Sequence, residues 1–415
     1  MLIKTRLTLS ILLTFFILTT ASAQTKLKTG IWRGTLKTES GNLLPFNFEV
    51  SNAAGSQQIA IINGAEHYKV PDVKFKGDSV VITMPLFDSE FRLKLTGGKL
   101  TGNWIRHLGD HDTAMPFNAE PNTAWRFMPD PKKPAFDVSG RWAAVFGEGT
   151  ENRDELVGEF KQKGSELTGT FLSTTGDYRY LEGTVSGDKL YLSCFDGCHA
   201  FLFIATIKDA KTITGGAMYS GFTGTDKWTA VKNPNAKLPD AYSLTYLKPG
   251  YKKIAFTFPD INGHKVSLSD PRFKNKVVIV QIMGSWCPNC MDETNFIVNS
   301  GYYKKYHPKG LEVVGLAYER TTDFKKSQRT LKQLKDHFNI PYPLLITGYT
   351  PTKGDPMKSL PMLADFKGFP TTIIIDKKGN VRKIHTGFNG PGTGAHYTEF
   401  VVEFDKLTED LLAEK

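Results

Sequence analysis

Four short runs, "KVVIVQIM" (276–283), "LEVVGLAY" (311–318), "YPLLIT" (342–347) and "TTIIID" (371–376), are apolar on both faces rather than alternating. Strands of that kind must be covered on both sides, which restricts the chain around them to an α/β layering. The covering elements are legible as well. Residues 323–338 read as a charged surface helix, and Tyr397, Phe400, Val401, Phe404, Leu407 and Leu411 recur at helical spacing near the end. The expectation for residues 253–415 is an α/β domain with a mainly parallel sheet. Its first strong strand runs directly into "MGSWCPNCMDE" at 283–293.

Upstream, the texture is different. From Gln24 to about Ala230 the chain is rich in Gly, Thr and aromatics, with short alternating runs such as "SVVITM" and "KLYLSC" between turn signals. That pattern predicts antiparallel β structure. It also carries a weak repeat: Trp32 and Trp142, Gly77-Asp78 and Gly187-Asp188, Phe87-Asp88 and Phe195-Asp196, and Thr101-Gly102 and Thr214-Gly215 follow one another at a nearly constant offset. The repeat predicts two related β modules, 24–125 and 126–236, joined through the proline-rich "FMPDPKKPAF". A linker over 237–252 then leads into the α/β domain.

At the start, Lys4 and Arg6 precede an apolar stretch from Leu7 to Leu18, and Ala21-Ser22-Ala23 form a small-residue cleavage signature. The apolar stretch is shorter than the roughly 20 residues of a spanning helix. Residues 1–23 are therefore expected to be a signal peptide, cut before Gln24, leaving no stable membrane insertion. Its removal lowers the formal charge of +10 by two. The remaining basic residues are scattered, as in Lys132-Lys133 and Lys377-Lys378, so they read as solvated surface and argue against a nucleic-acid partner.

Export places the four cysteines in an oxidising compartment where disulfides persist. For Cys287 and Cys290 a structural zinc site is a poor fit, because no second closely spaced pair follows and His307, His337, His385 and His396 are scattered. As a brace, a bridge between residues three apart constrains little of the unfolded chain and is easily reduced. Redox exchange fits better. At a helix N-terminus the unpaired N–H groups and the dipole stabilise a thiolate at Cys287, Pro288 suits the first helical position, and Cys290 lies one turn further in. Cys287 is then the nucleophile and Cys290 the resolver. This dithiol chemistry needs no cofactor. Glu293 shares a helical face with Cys290, and Trp286 is expected to pack over Cys287. Pro370 opens a buried strand, where it would forfeit ladder pairing unless another chain used that edge.

"WCPNC" after an apolar strand, "GFPTT" before "IIID", and the lead-in "FTFPDINGHKVSLSD" together resemble the thioredoxin fold. With the export signal and Glu293, residues from about 250 to 415 resemble the TlpA/ResA-type thiol-disulfide oxidoreductases of bacterial envelopes. The resemblance implies a cis Pro370 against the active disulfide and a buried acid at Glu293 near the sulfurs. It also implies a periplasmic location, disulfide-containing envelope proteins as substrates, and an upstream thiol electron donor. The family often has proline two residues after that acid. This chain has Asn295, which puts the corresponding helix kink in doubt.

Cys194 and Cys198 flank a Phe-Asp-Gly turn in "LSCFDGCHAF" and are expected to form a local structural disulfide, with free thiols or a relay to Cys287 as alternatives. His107 and His111 in "RHLGDHD" read as part of a solvated loop. Two other functions compete with an exported protein disulfide reductase. One is a peroxiredoxin-like peroxidase, against which stand Val280 and Gly284 where that family's motif needs Pro and Thr. The other is an envelope binding protein whose β modules carry a redox domain.

Overall fold

The computed structural model describes residues 26–53, 55–108, 111–221, 224–352 and 354–415. The expected signal peptide lies outside the described residues. From Gly30 to Pro121, nine antiparallel strands follow one another as a meander whose first and last members, Gly30–Lys37 and Asp112–Pro121, also pair. The sheet curls into a barrel with a seam between Glu66–Val70 and Asp72–Lys76, which Pro71 joins in sequence but which do not share a ladder. Proline has no N–H to donate across such a seam.

The second sheet, from Gly140 to Lys232, closes on itself because Glu166–Ser173 pairs with Asp154–Lys163 as well as with Leu181–Ser186. Its interior is filled by Trp142, Phe146, Phe171, Phe203 and Trp228. The two barrels share local details that the repeat anticipates. Trp32 and Trp142 are fully buried, and each indole N–H donates to the carbonyl four residues earlier, Lys28 at 2.7 Å and Val138 at 2.8 Å. Asp78 and Asp188 each offer a carbonyl to the returning strand, to Leu95 at 2.8 Å and Ile207 at 2.7 Å. The barrels are not independent beads. Phe195, from the hairpin of the second, inserts among Phe46, Phe91 and Trp104 of the first, with ring centroids 4.5 Å from Phe46 and 4.9 Å from Trp104.

The C-terminal domain is thioredoxin-like. Its five-stranded sheet has the order Leu344–Ile346, Leu311–Ala317, Val277–Met283, Thr371–Ile375, Val381–Thr386. All four apolar runs form strands. The first three are parallel, but Thr371–Ile375 is antiparallel to Val277–Met283 and Val381–Thr386 is antiparallel to it in turn. The sheet is thus mixed rather than mainly parallel. An apolar run records burial on both faces but not direction, and the tight turn at 376–380 returns the chain immediately alongside itself. The helices Phe324–Phe338 and Ala395–Ala413 cover the sheet. Residues 237–252 are docked rather than loose: Tyr246–Leu247 pairs with Leu363–Asp365, and the Ala241 carbonyl accepts from Thr386 N–H at 3.0 Å. Among the described residues no helix is long and apolar enough to cross a membrane.

Candidate active site

The strand Val277–Met283 ends where the chain turns into the helix Pro288–Asn299. Cys287 is the N-cap. Its backbone is extended, its Sγ accepts from the Cys290 N–H at 3.2 Å, and Pro288 takes the first helical position, where a missing N–H costs nothing. Cys287 and Cys290 are joined as a disulfide with Cα atoms 5.2 Å apart. Cys290 is fully buried and Cys287 retains 6% exposure, so Cys287 is the more accessible of the two. The helix continues unbroken through Asn295, which is exposed.

Three supports hold this turn. The Trp286 indole N–H donates to the Tyr318 carbonyl at 2.8 Å, and its ring meets Phe369 edge-on at 5.4 Å. The Phe369–Pro370 peptide is cis. Trp286 thereby ties the cysteine turn to the proline loop. Below it, Ser285 donates its N–H and its hydroxyl to the buried Glu319 carboxylate at 2.8 and 2.6 Å. Burial pushes the Glu319 carboxyl upward despite those hydrogen bonds. One turn beyond Cys290, Glu293 is almost wholly buried, with Gln281 Nε2 donating to it at 2.9 Å and the Thr372 hydroxyl donating to its other oxygen. Burial raises its pKa to about 7, against the pull of those two hydrogen bonds.

The β barrels reach this site directly. Cys198 Sγ donates to the Trp286 carbonyl at 3.3 Å. The Asn289 side chain, in the amide orientation that satisfies both groups, donates to the Asp177 carbonyl at 3.3 Å and accepts the Asp177 N–H at 3.2 Å. A side chain at Gly176 would collide with Asn289, so glycine is what allows the barrel backbone to come this close. Arg179, buried, joins all three parts of the molecule. It pairs with Glu66 of the first barrel at 2.6 Å, with Asp196 of the second at 3.4 Å, and with Asp292 on the active-site helix. The side chain of Asp177 accepts the Gly390 N–H at 2.7 Å, and burial, with Asp292 nearby, raises its pKa to about 6.

The expected Cys194–Cys198 disulfide is absent; both are free, buried thiols. Register explains why. Cys194 faces Phe201, and the last paired residues are Phe195 and Ala200, so Cys198 lies in the turn rather than opposite Cys194. Cys194 points into the second barrel's core while Cys198 points at the redox helix. Burial pushes the Cys198 thiol up to about 11, which keeps it a protonated donor and a poor relay nucleophile. His107 is half-buried and pairs with Asp112 at 2.8 Å.

Residues 248–399 match the Redoxin family model. They form a Redoxin domain. The match begins inside the stretch that reads as a linker, in keeping with its docking on the sheet, and leaves both barrels outside it. Thioredoxin-like protein YneN of Bacillus subtilis (strain 168) is 29% identical over 143 residues, 34% of this chain and 73% of that protein. Thiol-disulfide oxidoreductase ResA of Bacillus thuringiensis subsp. konkukian (strain 97-27) is 28% identical over 126 residues, 30% of this chain and 62% of its own length. The chain thus spans less than two thirds of that ResA. Among solved structures, a thioredoxin-family thiol:disulfide interchange protein from Chlorobium tepidum TLS is 21% identical, covers 39% of this chain and 96% of its own, and has a TM-score of 0.29.

Sequence reasoning missed Glu319, Arg320, Arg179, Asp177 and Asp292. Glu319 and Arg320 had a usable signal, since they lie two and three residues past the end of a buried parallel strand, at the end where α/β sheets place their sites. The others carry none, because their role depends on how the barrels dock.

Proposed function

We propose that this chain is an exported thiol-disulfide oxidoreductase that reduces disulfides of envelope proteins through the Cys287–Cys290 couple. One observation carries the reading: Cys287 caps the active-site helix with its sulfur on the Cys290 N–H at 3.2 Å, bonded to a Cys290 that solvent does not reach. In the reduced chain, the Cys287 thiolate attacks a substrate sulfur and the leaving thiolate takes a proton. Cys290 then gives up its proton and attacks Cys287, releasing the second substrate thiol and leaving the 287–290 disulfide. Two electrons and two protons pass to the substrate, and an upstream dithiol restores the pair.

Glu293 supports the role of reductant. Its pKa of about 7 lets it accept the Cys290 proton near neutral pH. Once ionised, its buried charge disfavours a nearby thiolate and so favours the disulfide state, which makes the dithiol a better electron donor. Arg106 and Arg320 act the other way, but Arg320 is exposed and Arg106 half-buried, so solvent screens them more than it screens Glu293. The test is insulin reduction by the full chain, with trapping. Cys290→Ser is expected to accumulate mixed disulfides with envelope proteins and Cys287→Ser is not; equal trapping by both would refute the assignment.

A further inference from the structure

We propose that the barrels and the Redoxin domain together form a substrate cleft that selects disulfides carried on narrow, carboxylate-bearing groups: an anionic small disulfide or an acidic extended peptide. This rests on the reductase reading above and adds the substrate's charge and width. The cleft, of about 230 Å³, is bounded by Trp104, Arg106 and His199 from the barrels and by Trp286, Cys287 and Arg320 from the Redoxin domain. It lies below the ~300–1,000 Å³ of sites that take a drug-sized ligand. Two of its walls are tied across the domains, Asn289 to the Asp177 backbone and Cys198 to the Trp286 carbonyl, so the second barrel is held against the cysteine turn. A folded protein surface laid on the Redoxin domain would meet the second barrel before it met Cys287. A narrow group entering from the cleft would not.

Charge makes the second half of the case. Among the described lining residues there are two arginines and a histidine and no carboxylate. Of the carboxylates next to the lining, Glu319 accepts from Ser285 and Thr330, and Asp196 pairs with Arg179 and with His199 itself, so the two arginines rather than His199 carry the cleft's positive charge. Arg320 sits over the Trp286 ring with its guanidinium 5.2 Å from the centroid, which fixes a cation beside the residue that precedes Cys287. Arg106 approaches from the barrel side, with Nη2 3.9 Å from Cys198 Sγ. The N-terminus of the Pro288–Asn299 helix adds its positive end at the same place. A carboxylate close to the substrate disulfide would meet all three as its sulfur reaches Cys287.

The test uses the full chain, reduced with dithiothreitol and desalted. Its oxidation by glutathione disulfide, which is anionic, and by cystamine, which is cationic, is followed by tryptophan fluorescence in stopped flow. Each rate constant is divided by that of dithiothreitol with the same disulfide, which removes the intrinsic reactivity of the reagents. The normalised ratio is expected to favour glutathione disulfide by roughly tenfold or more, and to shrink as salt is added. Arg320→Gln and Arg106→Gln should each bring the ratio toward one, while Arg320→Lys should keep it. A ratio within one variant cancels any general loss of activity. Disulfide-linked peptide dimers with Asp or with Lys beside the cysteine distinguish the sources. A preference among peptides as well as small disulfides assigns the cleft to extended chains, and one confined to glutathione disulfide assigns it to small molecules; either supports the proposal. If both disulfides react and the native ratio is near one, or if the ratio survives both Gln substitutions, the proposal is overturned and the reductase reading stands. If the reduced chain exchanges with neither, the reductase reading falls and takes this inference with it.

Discussion

At Glu293, burial and chemistry meet in a single residue, and the consequence is measurable as stability. An ordinary Glu titrates near 4.5, whereas Glu293 in the folded chain does so at about 7 because burial disfavours its charge. Between those two pH values the folded state still holds a proton that the unfolded chain has released. Stability therefore falls as pH rises through that window and is flat above it. Glu293→Gln removes the titration. The variant should gain stability relative to the native chain between pH 4.5 and 7.5, on the order of 3 kcal/mol, as read from urea melts at both pH values. A difference that does not change with pH would mean the carboxyl is not perturbed. The same variant should slow resolution of a Cys287 mixed disulfide by ~10²-fold, the low end of what a positioned base contributes. Sequence spacing already put Glu293 on the face of Cys290. That its partners would be Gln281 and Thr372, 12 and 79 residues away, was not legible, because both come from neighbouring strands.

The hairpin from Lys189 to Asp209 shows how one element's register decides a chemical question. Alternation along a strand fixes which faces are buried, but not where the turn falls. A turn centred on Phe-Asp-Gly would have set Cys194 against Cys198; the observed turn, at 196–199, sets Cys194 against Phe201. The oxidised chain should accordingly show two thiols to Ellman's reagent once denatured, and neither should react at an appreciable rate while folded, since both are buried. No reactive thiol after denaturation would restore the local bridge. The active-site helix behaves in the opposite way. Its start was fully legible, because Cys287 as N-cap and Pro288 at the first position are local preferences that need no distant partner.

The molecule as a whole turns on Arg179. It is a cation among Glu66, Asp196 and Asp292, each from a different part of the chain, and it holds the second barrel against the active-site helix. Removing one member of such a buried group leaves the others' charges without compensation, which costs about 3 kcal/mol or more. Arg179→Leu should lower stability by that order in denaturant melts. It should also loosen the cap over Asn289, so that insulin, with its wide surface, is reduced faster relative to glutathione disulfide than by the native chain. An unchanged ratio between the two would show that the barrels do not restrict access. The sequence by itself determined four strands and three helices of the Redoxin domain, the repeat of two β modules and the placement of Cys287 on a helix start, because each follows from periodicity, turn chemistry or capping within a short window. Only the tertiary structure decided that the sheet is mixed, that Cys198 faces Trp286, and that two arginines from separate domains border one cleft. Those facts depend on how faces distant in sequence dock, and docking is set by shape and by buried charge pairs that no local pattern records.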